Sequence, residues 1–346
     1  MSLVVILVVL FFTILSSKTM KMGLTALSKD NLVSRKECQI FDNYTDSRFE
    51  EYLAFQRRMD KPIVYLTFNP FCGLANYLQG IRGMVVLSEV LNFGLRIKNN
   101  NLKEAFSRRM EFMFCDNLPT TIREVSQFEY MSWSVTKMKS HLNETLVITS
   151  QIDSIAKLKK PDGINLLVSK GYVNSSRDID RFYYSFSRLI FRPRMRIVCK
   201  ANQEFPISIR DQQYAFQFRM GGKAANSNEK KVFLQESQFP MIIHLIEDYA
   251  KPHPNCSIYL SSDSNPAIDY ISTHLNTSCV VTHMSSMKRG HSSSFFSGSN
   301  SLENMEGAIY DLIVLSRSKS IVFTMGSSYG AFGSALCRCH SSFIRP

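Results

Sequence analysis

Apolar runs rich in β-branched and aromatic residues alternate with stretches of helical periodicity along most of the chain. Ile63–Phe68 (IVYLTF) lies between Pro62 and Asn69-Pro70, which predicts a first strand. Phe71–Asn76 (FCGLAN) reads as a turn. Tyr77–Leu91 then places Leu78, Ile81, Val85, Leu87, Val90 and Leu91 at helical spacing. Leu95–Ile97 begins another short strand. Strand, glycine turn, helix and strand in that order open an α/β domain. Residues 98–200 are harder to read. Short apolar runs, Thr145–Thr149 and Asn165–Ser169, mix with an aromatic helical segment, Arg181–Phe191, that Arg192-Pro193 ends.

The second half alternates more cleanly. Strand Tyr214–Phe218 leads through a turn to helix Phe239–Tyr249, strand Ser257–Leu260, helix Pro266–His274 and strand Cys279–Thr282. A Ser/Gly-rich loop over 285–300 follows. Helix Asn304–Leu315, strand Ser320–Thr324, a Gly/Ser turn and helix Ala331–Leu336 complete a parallel βαβ series. There is no internal repeat and no coiled-coil heptad. The predicted class is α/β.

A length of 346 residues favours two domains over one, and 45% hydrophobic content supplies their cores. The boundaries expected are a leader over 1–17, a stem over 18–60, one α/β domain over 61–205 and a second over 206–346. The formal charge of +12 is scattered and forms no arginine-rich arm. It fits a basic surface or a site for an anionic donor, not nucleic acid.

Ser2–Leu15 carries no charge and is strongly apolar, yet with Ser16 and Ser17 it is shorter than the ~20 residues of a full span. It reads as a short signal anchor, with a cleavable signal peptide as the alternative. Lys18 and Lys21 follow the run and no basic residue precedes it, which argues against an N-inside anchor. Leu15 and Lys18 spoil a small-x-small cleavage site. Five Asn-x-Ser/Thr sequons, at Asn43, Asn143, Asn174, Asn255 and Asn276, agree with secretory entry. Eight cysteines suit disulfides in an oxidising lumen, although sequence cannot pair them. Cys337-Arg338-Cys339-His340 lacks a second ligand pair at zinc spacing, which favours disulfide or structural use over metal.

Five places suggest chemistry, and a sixth is a metal-binding alternative. Arg219 ends a predicted strand and meets Gly221-Gly222, with Lys223 behind it. Ligands bind at that edge of open α/β sheets, and a guanidinium can fork onto phosphate oxygens. Ser327-Ser328-Tyr329-Gly330 starts a helix whose hydroxyls and amides suit the same anion, or serine simply caps the helix. Gly73 permits a tight strand–helix turn, where Asn76 is either a ligand contact or an N-cap. Asp263 follows another strand and either hydrogen-bonds a base or ribose or caps the next helix. Asp311, within a helix, faces a cleft or solvent. Asp178-Ile179-Asp180 is a metal-binding alternative, but salt bridges to Arg177 and Arg181 account for it better.

These segments together resemble the GDP-fucose-dependent fucosyltransferase superfamily, most closely the plant xyloglucan type. Gly73–Asn76 with its apolar helix resembles the family's Gly-x-x-Asn motif. Glu111–Pro119 (EFMFCDNLP) resembles a Phe-Cys-x-x-x-Pro region, and Leu189–Pro193 (LIFRP) a Leu-Phe-x-Pro element. Phe216–Arg219 (FQFR) resembles the strand that carries the phosphate arginine. Asp311–Ser316 (DLIVLS) and Thr324–Gly330 (TMGSSYG) resemble the closing helix–strand–Ser-x-Gly motif. The match spans residues 63–337, in order. It departs where Gly221-Gly222-Lys223 replaces the usual aromatic or acidic residues.

The resemblance implies a GT-B-like fold of two Rossmann-like domains facing a cleft, with donor binding mostly in the second. It implies inverting, metal-independent transfer from GDP-fucose, with no cofactor, to a glycan or glycoprotein in the Golgi or secretory pathway. Arg219 would be catalytic, by stabilising the leaving diphosphate. Gly73, Asn76, Asp263, Asp311, Ser327, Ser328 and Gly330 would join it in binding the donor. No strong base stands out; Glu229 and Asp311 are poor candidates and solvent could serve. The alternatives are an Asp-x-Asp metal-dependent transferase and a non-catalytic lumenal glycan-binding protein.

Overall fold

A computed structural model describes residues 46–60, 63–68, 73–106, 108–150, 154–205, 213–221, 232–284, 301–337 and 339–345. The leader, Gly222-Lys223, Glu229 and the 285–300 loop lie outside the described residues. The first sheet holds strands β1 (Ile63–Thr67), β2 (Gly94–Ile97), β3 (Arg123–Val125) and β4 (Leu146–Thr149) in the order β2-β1-β4-β3. The second holds β5 (Gln213–Phe218), β6 (Ser257–Ser262), β7 (Val280–His283), β8 (Ser320–Thr324) and β9 (His340–Ile344) in the order β7-β6-β5-β8-β9. Every pairing in both sheets is parallel. These are parallel sheets of the α/β class that the sequence predicts, one in each half of the chain.

Helices fill the connections: α1 (Asp46–Arg58), α2 (Leu74–Leu91), α3 (Asn100–Ala105), α4 (Gln127–Ser132), α5 (Val135–Ser140), α6 (Ile155–Leu158), α7 (Pro161–Ser169), α8 (Ile179–Ile190) and α9 (Met195–Glu204) in the first half. The second half adds α10 (Phe239–Ala250), α11 (Asn265–His274), α12 (Ser301–Leu315) and α13 (Ser328–Cys337). Nearly every residue of α2 is buried, as its apolar surround requires. Asn92 ends α2 in the left-handed region, φ 61°, and Phe93 N–H donates back to Ser88 O.

Strand β5 is buried at all six positions, so it is the central strand of its sheet. Tyr214, Phe216, Phe218 and Met220 pack on Phe239, Ile242 and Ile246 of α10 and Ile268 and Ile271 of α11. The alternate positions face α12 and α13: Gln213 Nε2 donates to Val314 O and Ser318 Oγ.

Three findings revise the predicted layout. The predicted stem reaches residue 60, yet its last part is α1, with Phe49, Tyr52 and Leu53 buried. Gln56 is also buried, donating to Ser88 Oγ and Phe93 O and accepting from Leu95 N–H. The charged residues of α1, at both its ends and in its middle, hide that stripe. Asn165–Ser169, read as an apolar run, belongs to α7, which Pro161 starts. Strands β3 and β9 escape the periodicity because they are short edge strands with polar positions.

Disulfides join Cys256 to Cys279 and Cys337 to Cys339, pairings that the sequence left open. Cys199 is also disulfide-bonded and Cys115 is a free thiol. Among the described residues no helix is long and apolar enough to cross a membrane.

Candidate anion-binding site

In the second sheet the strand order reverses between β5 and β8. The crevice outside the carboxyl ends of the strands at such a switch point is where open α/β sheets bind ligands. Two predicted segments flank it: Arg219 follows β5, and the turn before α13 follows β8. The register makes them neighbours. Gln217 pairs with Phe323, and two residues on Arg219 N–H donates to Thr324 Oγ1 at 2.9 Å. Thr324 Oγ1 passes the contact on to Gln217 O at 3.3 Å.

Asp263, after β6, fixes the arginine and its turn together. Its Oδ2 lies 3.2 Å from Arg219 Nη1. The same carboxylate accepts Met220 N–H at 2.8 Å and Gly221 N–H at 3.2 Å. Gly221 holds φ 67°, a left-handed conformation that glycine adopts without strain. Asp263 does not cap the next helix; Ser264 Oγ does, accepting from Ala267 N–H. The Arg219 side chain retains 20% exposure while that of Asp263 retains 8%, and the guanidinium stacks 5.6 Å from the Phe233 ring centre. A buried carboxylate thus orients a guanidinium whose edge reaches solvent.

Across the switch point, Gly326 turns the chain at φ 84°. Ser327 is buried, and its Oγ accepts Gly330 N–H at 3.2 Å, so the capping role considered for this serine is the observed one. Ser328 is half-buried as the first residue of α13. Gly330 lets α13 lie directly on the sheet. A Cβ there would sit 2.5 Å from Phe323 Cβ and 2.7 Å from Gln217 Oε1. That carboxamide oxygen is buried and accepts no hydrogen bond among the described residues. Sequence reading missed Gln217; a polar residue two positions before Arg219, in a strand buried at every position, was the available signal.

The first sheet places Gly73 after β1, at its own switch point. Gly73, not Asn76, is the N-cap of α2, at φ −77° and ψ 160°. Gly73 O accepts from Asn76 N–H and Tyr77 N–H, and Asn76 sits half-buried in the first turn.

Asp311 is not solvated, and it lies close to the strand ends: its partner Ser261 is the penultimate residue of β6, and Tyr329 beside it is in the first turn of α13. It is buried, and takes hydrogen bonds from Tyr259 Oη and, at 2.5 Å, from Ser261 Oγ. Burial first, then the Asp311 charge, pushes the Tyr259 phenol well above its ordinary pKa. The Tyr329 phenol rises for the same reasons and donates to Ala308 O. Asp311 therefore ties α12 to β6. The Asp-x-Asp residues are also occupied, though not by the arginines predicted. Asp178 closes a capping box with Ser175, and Asp180 pairs with Lys159 at 2.8 Å. Among the described residues no group of three or more His, Cys, Asp or Glu could hold a metal ion.

No protein-family model and no curated protein sequence matches the chain. Solved structures do. The molecule has the fold of a two-sheet α/β glycosyltransferase of the GT-B kind. In particular it is similar to a GDP-bound mutant of FUT1 from Arabidopsis thaliana, at 11% identity, TM-score 0.56, and coverage of 92% of this chain and 78% of that one. NodZ α-1,6-fucosyltransferase soaked with GDP-fucose covers 79% of this chain at 11% identity and TM-score 0.46, matching 92% of its own length. POFUT1 in complex with GDP covers 82% at 10% identity and TM-score 0.47, matching 99% of its own length. Likeness below a TM-score of 0.5 adds nothing to the fold assignment.

Proposed function

We propose that this protein is a fucosyltransferase that moves fucose from GDP-fucose to a glycan hydroxyl. One observation carries the reading: Arg219, oriented by buried Asp263, stands beside the α13 turn at a strand-order switch point. Guanidinium and helix-start amides are the donors a diphosphate needs. The shared fold with a GDP-bound fucosyltransferase supports the same ligand.

Fucosyl transfer breaks the bond from the sugar carbon to the diphosphate oxygen and forms a bond to the acceptor oxygen. Negative charge grows on the departing diphosphate, and fixed donors aimed at it lower the barrier. Arg219 supplies a full charge there, and the first turn of α13 adds partial ones, so we read the reaction as metal-independent. Direct displacement by the acceptor inverts the sugar carbon. The acceptor proton leaves to solvent, since both oxygens of Asp311 are engaged by hydroxyls. The oxidised Cys256–Cys279 and Cys337–Cys339 pairs support a secretory-lumen location, with the apolar N-terminal segment as leader or anchor.

Arg219→Ala should lower transfer by ~100-fold or more while the protein still folds. GDP and GDP-fucose should raise the melting temperature equally well with and without EDTA. Wild-type-like turnover of Arg219→Ala would remove the arginine from the reaction. Glycan binding without transfer or GDP binding would make the molecule a lectin on a transferase fold.

A further inference from the structure

Parallel sheets have two unlike edges. Arg219, Asp263 and the turn before α13 all follow strand C-termini. At the opposite edge of the same sheet, two sequons flank one disulfide. Asn255-Cys256-Ser257 runs into β6, and Asn276-Thr277-Ser278 stands just before Cys279 and β7. Both asparagines are exposed, and Cys256 is bonded to Cys279.

We propose that Asn276 and Asn255 carry N-linked glycans on the edge away from the anion site, and that closure of Cys256–Cys279 limits occupancy at Asn255. The acceptor chemistry explains the difference. Glycan transfer forms a bond from the asparagine carboxamide nitrogen to a sugar carbon, with loss of the lipid diphosphate that carried the sugar and of one carboxamide proton. The transferring enzyme must grip the carboxamide and the hydroxyl two residues later at once. That grip needs a segment free to change shape.

Asn276 keeps such a segment in the folded protein. It lies between α11 and β7, outside both, and Ser278 is exposed. Its anchors lie on the first two residues: Asn276 N–H donates to Glu247 Oε1 at 2.9 Å, and Thr277 Oγ1 accepts Cys279 N–H at 3.2 Å. Asn255 loses its segment on folding. Ser257 is 7% exposed, and its Oγ is buried. The residue pairs with Gln213 of β5 and Val280 of β7, so strands hold it from both sides. Cys256 is fixed by its disulfide, and Asn255 itself sits at φ 67°. Asn255 can therefore be modified only before this corner closes, whereas Asn276 stays open afterwards. Glycans at this edge leave the strand C-termini uncovered.

The inference extends the secretory part of the proposed function, and the test separates the two. The full chain is expressed in eukaryotic cells twice, with its own N-terminus and behind a strong added signal sequence. Glycosidase release in heavy-oxygen water, followed by peptide mass spectrometry, reads occupancy at each asparagine. The expected result is high occupancy at Asn276 and lower occupancy at Asn255. Cys279→Ser, or reductant in the medium, should raise Asn255 toward the level of Asn276. Glycan removal from the folded protein should leave GDP affinity unchanged. Glycans present only with the added signal support the sites and overturn the natural secretory entry. Bare Asn276 in the chain with the added signal overturns the proposal, as does Asn255 occupancy that matches Asn276 and ignores the disulfide.

Discussion

At the residue scale, Asp263 shows how one side chain can take a role its neighbourhood in sequence does not announce. Its carboxylate holds Arg219 Nη1 and two backbone N–H groups of the following turn. Asp263→Ala would leave those amides without their acceptor and the guanidinium without its orienting partner. Such a loss costs about 1–3 kcal/mol. GDP affinity should fall by roughly 5-fold at the low end of that range. Isothermal titration checks this, and an unchanged affinity would separate Asp263 from ligand binding. Gly330 is a packing position. A methyl group there would press on Phe323 Cβ at 2.5 Å and Phe323 Cγ at 2.6 Å, so Gly330→Ala should destabilise the fold by about 1–3 kcal/mol in urea unfolding.

At the element scale, two buried cations lock helix ends and faces. Arg82, on α2, is buried. It donates to Ser187 Oγ of α8 at 2.7 Å and lies 4.7 Å from the Tyr183 ring and 5.5 Å from the Phe332 ring of α13. It thereby braces the helix that begins at Gly73 against the helix that begins at Ser328. Lys157, on α6, caps the C-terminus of α4 by donating to Tyr130 O, Met131 O and Trp133 O. Burial, and secondarily Lys160, pull its pKa from 10.5 to about 8. A lysine with a depressed folded-state pKa releases its proton on folding between those two values. The unfolded chain then binds more protons, so this group makes stability rise with pH from about 8 toward 10.5. Lys157→Met should remove that slope from the pH dependence of Tm. A slope identical to wild type would assign the rise to other groups.

At the scale of the whole molecule, helices from the two halves of the chain share contacts. Helix α9 ends the first half in sequence, yet it is bound to α12. Arg196 pairs with Glu306, Glu204 Oε2 accepts from Tyr310 Oη at 2.5 Å, and Arg317 donates to Asn202 Oδ1 and Phe205 O. On α13, Leu336 O accepts from Arg188 Nε at 2.6 Å and Cys337 O from Arg188 Nη2 at 3.0 Å, both from α8. A boundary drawn at residue 205 therefore crosses a connected interface. Thermal unfolding should be a single calorimetric transition, and two resolved peaks would show the halves to be independent domains.

The sequence by itself determined the parallel α/β class and the placement of Arg219, Gly73 and Ser327 at strand–helix turns. Each of those rests on local periodicity and on turn chemistry, which operate within about ten residues. It also favoured disulfide or structural use over metal for Cys337-Arg338-Cys339-His340, while the pairing of Cys337 with Cys339 was left to the structure. Tertiary structure alone decided which turns meet. Strand order set β5 beside β8, and so Arg219 beside the start of α13. It decided that Asp263 faces Arg219, that Asp311 is sealed behind β6, and that α1 belongs to the folded body. Those outcomes depend on pairings between residues many positions apart. A single chain carries no local signal for such pairings, because each is selected by the packing of the whole sheet.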